Sequence, residues 1–254
     1  LDGANGFAFN GIDGNDQCGV AVACAGDVNG DGIDDLIIGA YQADPNGQIN
    51  AGESYVVFGG ETVGATGSFD LSALNGINGL VCNGDTQGDH SGNSVSSAGD
   101  VNGDGYADIL VGASLASPDG TPVSGQAYVV FGGATVGTGG AINLSNLNGS
   151  NGFVVRGIDE SDYCGKSVSA SGDVNGDGYS DILIGAFRAD PSGRTRAGQT
   201  YVVFGGATVG AVGSINPSML DGAIGFAVNG VDASDFSVSS VSAVGDVNGD
   251  GVED

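Results

Sequence analysis

The chain has 254 residues with 31 acidic side chains, 5 basic ones and a single histidine, a formal net charge of −26. Such a balance argues against nucleic acid as a partner, because neutralising phosphates needs a basic footprint that this chain lacks. Glycine contributes 51 residues without a three-residue period, which excludes collagen and favours a turn-dense all-β fold. No apolar run approaches the roughly 18 residues that a membrane span requires. No signal peptide precedes Leu1, so the expectation is a mature soluble segment with no membrane span.

In chain order, residues 6–11 read as the outer strand of a blade whose other strands are not seen. An alternating small-residue strand, AVACAGD (21–27), then runs into the heptapeptide GDVNGDG. That heptapeptide occurs at 26–32, 99–105, 172–178 and 245–251, each copy 73 residues after the last, so the chain is a repeat array. The units are 1–73, 74–146, 147–219 and an incomplete 220–254, all in one repeat domain. The third unit shows the strand pattern: GFVVRG (152–157), KSVSASGD (166–173), DILIGA (181–186), a turn region with Asp190, Pro191 and Gly193, then QTYVVFGG (199–206). Four strands of about five to seven residues at fixed spacing predict a β-propeller. Its crowded centre suits the Ser- and Ala-rich strands SVSSAGD (94–100), SVSASGD (167–173) and SVSAVGD (240–246). The strand arithmetic gives about three and a half blades, the last ending at Asp254 just after an inner strand and its loop. A ring normally needs at least four blades, so either the natural chain is longer or neighbouring copies complete the ends.

Each heptapeptide continues into D-x-N-x-D-G-x-x-D, which places oxygen ligands at positions 1, 3, 5 and 9 of a tight loop. The side-chain sets are Asp27, Asn29, Asp31 and Asp35; Asp100, Asn102, Asp104 and Asp108; Asp173, Asn175, Asp177 and Asp181; Asp246, Asn248, Asp250 and Asp254. By analogy with other acidic loops, the main-chain carbonyls of Ile33, Tyr106, Tyr179 and Val252 complete each shell. Calcium takes six to eight oxygens and fits this pattern, whereas magnesium prefers a small octahedron that keeps its waters. The plain alternative is a solvated Asp/Asn/Gly turn, and four copies in register weigh against it. Extracellular calcium modules bind at roughly 10⁻⁴ to 10⁻³ M, concentrations that point to secretion.

Other motifs carry less. His90 has Gln17, Tyr163 and Phe236 as its repeat equivalents, which reads as a surface position and not a catalytic base. Gly165, Lys166 and Ser167 resemble the end of a phosphate-binding loop but lie where a strand is expected. Asp16, Asp89, Asp162 and Asp235 recur five residues after a glycine and read as caps of turns between blades, with a second ion site as the alternative. Cys18, Cys24 and Cys164 read as small half-buried residues in preference to disulfide or metal partners, and Cys82 as core. The loops at 41–52, 114–125 and 187–198 share a length but differ more than the acidic loops do, as a display surface or simple drift would.

A strand ending in S-V, the D-x-N-x-D-G-x-x-D loop, L-I-x-G-A and Y-V-V-F-G-G together resemble the FG-GAP repeat of integrin α-subunit propellers and related bacterial surface proteins. The resemblance implies seven repeats in a ring, calcium loops on the lower face and macromolecular ligands on the opposite face. Where the family has Phe-Gly this chain has Cys18-Gly19, Ser91-Gly92, Cys164-Gly165 and Ser237-Val238. The expectation is a secreted, calcium-stabilised propeller with an adhesive or structural role and no catalytic residue. Its partner would be an extracellular protein or glycan, and copies would join into a filament through open blade edges unless a longer chain closes the ring itself. A lectin-like propeller holding sugars is the alternative, and a hydrolase on the same scaffold the third reading.

Overall fold

The computed structural model describes residues 1–253. β-Branched and aromatic residues in runs of five or six, bounded by glycine-rich turns, form short strands. After β1 (Ala8–Asn10), the first blade is built from β2 (Ala21–Gly26), β3 (Asp35–Ala40) and β4 (Glu53–Val57), with β5 (Ser68–Asp70) set apart and β6 (Gly79–Asn83) outermost. The second repeats this with β7 (Ser94–Gly99), β8 (Asp108–Ala113), β9 (Gln126–Val130), β10 (Ala141–Asn143) and β11 (Gly152–Arg156). The third contains β12 (Cys164–Gly172), β13 (Asp181–Ala186), β14 (Gln199–Val203), β15 (Ser214–Ile215) and β16 (Gly225–Asn229). Each blade is a four-stranded antiparallel meander, and together they form a partial β-propeller.

The short strands β5, β10 and β15 add a feature beyond the four strands per blade. β10 leaves the second blade and pairs in parallel with β6 of the first, Ile142 opposite Cys82, while β15 of the third blade does the same to β11. The Asn83 amide donates to Asn143 Oδ1 across this seam at 3.1 Å. Each repeat thus covers the outer edge of the blade before it, which removes an open strand edge. β5 pairs in the same way with β1, the expected outer strand of an earlier blade.

Strand periodicity divides the core between two neighbours. Ile37 of the first blade packs with Ile109 and Val111 of the second, whereas Leu110 turns the other way and packs with Ile182 and Ile184 of the third. At the centre, small side chains let the inner strands approach, and serine donates across the gap. Ser97 Oγ donates to the Ala25 carbonyl at 3.0 Å, Ser94 Oγ to Gly165 at 2.9 Å and Ser167 Oγ to Val238 at 3.1 Å. The Ser-rich pattern therefore serves two needs, close approach and a partner for carbonyls that another strand does not reach.

Residues 240–246, expected as the inner strand of a fourth blade, form no strand. Among the described residues no strand pairs with this segment. Val22 is 66% exposed where its equivalents Val95 and Val168 are 8% and 7%, and Phe226 is 38% exposed where Phe153 is 0%.

Core truncation separates these environments. Ile184→Ala, at a fully buried position, is expected to lower stability by about 2–5 kcal/mol. Val22→Ala should cost far less, and urea titration of both variants measures the difference.

Candidate functional site

The four acidic loops wind around their own carboxylates. Asp27 Oδ1 accepts from the amides of Gly30 and Asp31 at 2.8 and 3.0 Å, and its Oδ2 accepts from Gly32 at 2.8 Å. Asn29 Oδ1 accepts from the Asp31 amide and Asp31 Oδ1 from that of Ile33. Asp100, Asn102 and Asp104 repeat the arrangement with Tyr106 as the last donor. So do Asp173, Asn175 and Asp177 with Tyr179, and Asp246, Asn248 and Asp250 with Val252. Glycine at the sixth position, φ +87° at Gly32, permits the reversal that brings these amides inward.

The ninth-position aspartate differs from the other three. Asp35 is fully buried at the start of β3, its Oδ2 accepting from Val28 at 2.9 Å and its Oδ1 from Gly59 at 2.8 Å. Asp108 accepts in the same way from Val101 and Gly132, and Asp181 from Val174 and Gly205. Asp254, the fourth of the series, lies outside the described residues. Burial pushes Asp35 up to about 6 and Asp108 up to about 7, against their paired amide bonds, and the carboxylates of the same loop push in the same direction. Asp181 is raised for the same leading reason.

The first three loops therefore bring their sequence-expected side chains together, but turn the oxygens onto backbone amides. Among the described residues no group of three or more His, Cys, Asp or Glu side chains is placed to hold a metal ion. The donor chemistry nevertheless fits a hard cation: the side chains offer only oxygen, and a carboxylate oxygen bound to one amide keeps a further lone pair. The buried acid beside like charges is the strained element that a cation would relieve.

Successive acidic loops are joined to each other. The Ala107 amide donates to the Asp27 carbonyl and Ser180 to that of Asp100, both at 3.0 Å. Gly30 and Gly103 lie so close to the rings of Tyr106 and Tyr179 that an added Cβ would stand 2.3 and 2.4 Å from a ring carbon.

At the opposite end, the loops expected as a display surface also clasp the blades. The amides of His90 and Ser91 donate to the carbonyls of Asn50 and Ala51, those of Tyr163 and Cys164 to Val123 and Ser124, and those of Phe236 and Ser237 to Arg196 and Ala197. Their main chains are thus structural while several side chains stay exposed. Asp162 and Asp235 cap the adjoining turns, accepting from Asp159 and Asp232. Cys82 and Cys164 are fully buried free thiols, burial pushing Cys82 up to about 12; Cys18 and Cys24 are also free. Lys166 and Ser167 lie in β12, a strand and not the helix a phosphate loop requires. His90 is half-buried against Tyr41, ring centroids 5.1 Å apart. Sequence reasoning missed this aromatic group, although the equivalence of positions 17, 90, 163 and 236 was a signal for it.

The buried carboxylates yield a metal-independent expectation. Asp108→Asn leaves one of two buried amides without an anionic acceptor and should cost about 1–3 kcal/mol even in chelator. Asp34→Asn, at an exposed position, should leave the melting temperature unchanged in the same buffer.

Comparison with known proteins agrees with this architecture. The FG-GAP repeat family matches at residues 19–57, 91–130 and 165–203, each match beginning within three residues of the start of an inner strand and running to the end of the third strand. Integrin alpha-PS2 of Drosophila melanogaster is 31% identical over 191 residues, 74% of this chain and 12% of its own length. Integrin alpha pat-2 of Caenorhabditis elegans is 33% identical over 176 residues, 68% of this chain and 13% of its own. A phosphatidylinositol-glycan-specific phospholipase D of Dictyostelium discoideum is 28% identical over 177 residues and is covered over 18% of its length. The chain thus spans less than a fifth of these relatives and matches them through its repeats. With three FG-GAP repeats on three consecutive propeller blades, it is an FG-GAP repeat protein of the integrin-α-like type.

Proposed function

We propose that the protein is an extracellular, calcium-stabilised propeller whose role is adhesive or structural and not catalytic. The observation that carries this reading is the recurrence of an acidic loop, closed by a buried aspartate, at the same place in every blade. One ion would be held per loop: by Asp27, Asn29, Asp31, Asp35 and the Ile33 carbonyl; by Asp100, Asn102, Asp104, Asp108 and that of Tyr106; by Asp173, Asn175, Asp177, Asp181 and that of Tyr179. The fourth loop offers Asp246, Asn248, Asp250 and the Val252 carbonyl. When bound, the cation supplies counter-charge to carboxylates that otherwise repel one another, and binding energy becomes folding energy. Similarity to integrin α subunits supports an outside location and binding of an extracellular protein or glycan on the face away from these loops. No helix among the described residues is long and apolar enough to cross a membrane.

Chelation is the direct test. Thermal melting in millimolar calcium and in chelator should differ by many degrees, and an unchanged midpoint would remove calcium from the account. Asp104→Ala should delete one site and leave the others, because repeat arrays couple chiefly to nearest neighbours; titration calorimetry counts the ions lost.

A second element of the proposal is head-to-tail association with another copy, as against a longer chain that closes the ring itself. Val22 and Leu36 at one end, and Phe226 and Val228 at the other, repeat positions that are buried between blades inside the molecule. A contact of that kind joins unlike faces and propagates into a filament unless the rotation closes. Electron microscopy at low and high salt examines it: fibres that shorten with chelator support association, and isolated particles at every protein concentration overturn it.

A further inference from the structure

On the face opposite the acidic loops, positions that repeat every 73 residues converge on one cleft of about 280 Å³. Tyr41 comes from the first repeat, His90 and Asn93 from the second, and Tyr163, Lys166 and Phe187 from the third. The rings are held against each other, Tyr41 with His90 at 5.1 Å and Tyr163 with Phe187 at 5.3 Å between centroids. Arg188 stacks over both Tyr163 and Phe187, at 4.7 and 5.2 Å, and its Nη1 donates to the Tyr163 hydroxyl. Asn93 is fixed by bonds to Ser114, Gly165 and Lys166. The cleft is therefore a braced aromatic surface and not a gap between mobile side chains.

His90 and Tyr163 sit on left-handed backbone, φ 57° and 59°, as do the equivalent Gln17 and Phe236, so this conformation belongs to the repeat. Charge sets the cleft apart. In a chain of net charge −26, all five Lys and Arg residues lie in the third repeat. Arg156 is paired with Asp119, the one ion pair among the described residues. Lys166 is exposed, lines the cleft and has no ion pair among the described residues. Burial holds the His90 imidazole below its ordinary pKa, so the cations at the cleft are Lys166 and, stacked on Tyr163 and Phe187, Arg188.

We infer that this cleft binds an acidic saccharide, one sugar ring packing against the aromatic lining that includes Tyr163 and Phe187, with its carboxylate paired to Lys166. This deepens the proposed adhesive reading and rests on it. Sugar rings present weakly positive C–H groups to the negative faces of aromatic rings, a match that a single acidic peptide side chain does not offer. The ammonium then forms a charge-assisted hydrogen bond to the carboxylate. The volume lies just below the usual range for ligand pockets, roughly 300–1,000 Å³, and suits a single sugar unit. The acidic remainder of the molecule repels dense polyanions beyond about one Debye length, ~8 Å at physiological salt. A sparsely charged polymer, with one carboxylate per disaccharide, is accordingly the class selected.

The test is titration calorimetry of the protein in calcium with a hyaluronan hexasaccharide, which alternates glucuronate with N-acetylglucosamine. The neutral N-acetylglucosamine hexamer and an Asp/Glu tetrapeptide serve as comparisons. Saturable binding of the hyaluronan fragment, weakened about tenfold by Lys166→Gln and abolished by Tyr163→Gly, supports the inference. Lys166 is exposed, and glycine relieves the backbone at position 163, so both variants should keep the fold; their calcium-dependent melting verifies it. Equal binding of the neutral hexamer, binding of the tetrapeptide alone, indifference to both substitutions, or no binding of the hyaluronan fragment each overturns it. If the hyaluronan fragment fails to bind while calcium still raises the melting temperature, the ligand is wrong and the calcium-stabilised scaffold stands.

Discussion

A single buried carboxylate per blade organises much of this molecule. Asp35, Asp108 and Asp181 each begin the second strand of a blade, and each joins an amide of the acidic loop before it to an amide of the turn after the third strand. Two pieces of chain with no sheet ladder between them are thereby fixed together, and one oxygen could not serve both. Burying a carboxylate is costly, and these are destabilised further by acids of their own loop. The apolar core alone does not explain why an acid stands there. Its placement makes sense if the loop is a unit whose inner charge is answered by a cation and whose geometry must be transmitted to the sheet.

From that staple the coupling runs sideways. The first acidic loop accepts a hydrogen bond from the second repeat through the Asp27 carbonyl, and the second accepts one from the third through Asp100. The tyrosine at the seventh position packs on a glycine of the preceding loop, so a ring of one blade covers the neighbouring loop's backbone. At the other end, the clasp between residues 50–51 and 90–91 performs the same office. Between these two belts, the blades touch through alternate residues of each strand and through serine donors at the centre. Stability in such an array is local in origin and cumulative, each interface holding only its two neighbours.

The repeat length, the strands and the small-residue centre were legible in the sequence because each depends on local pattern. Ile37 and Ile109 could be read as core from their strands alone. β10 could not, since three residues, Ala141–Asn143, have no periodicity to detect and owe their conformation to a partner strand about 60 residues earlier. The absence of a strand at 240–246 has the same origin in reverse, for its small-residue pattern matches that of β7 and β12, yet a pattern without a partner makes no ladder. In the acidic loops, donor identity was visible, while the double amide bond of Asp35 depends on Gly59, 24 residues away. The aromatic cleft was hidden more deeply, because it joins positions from three repeats that share little chemistry: Tyr41 aligns with Ser114 and Phe187, and His90 with Gln17 and Tyr163.

That last contrast separates the two ends of the propeller. A strict period places equivalent residues around one axis, so a position near the centre is presented to one shared space whatever side chain it carries. At the acidic end the period is filled with the same residues, and each loop is a separate copy of one unit. At the other end the period is filled with different residues on the same left-handed backbone, φ 58° at Gln17, 57° at His90, 59° at Tyr163 and 50° at Phe236. The clasp bonds there are made by the main chain alone, which leaves the side chains free to differ without altering the blade contacts. A backbone held by its neighbours can carry a ring where glycine would be easier, and it is this fixed geometry that allows unlike residues from three repeats to form one surface.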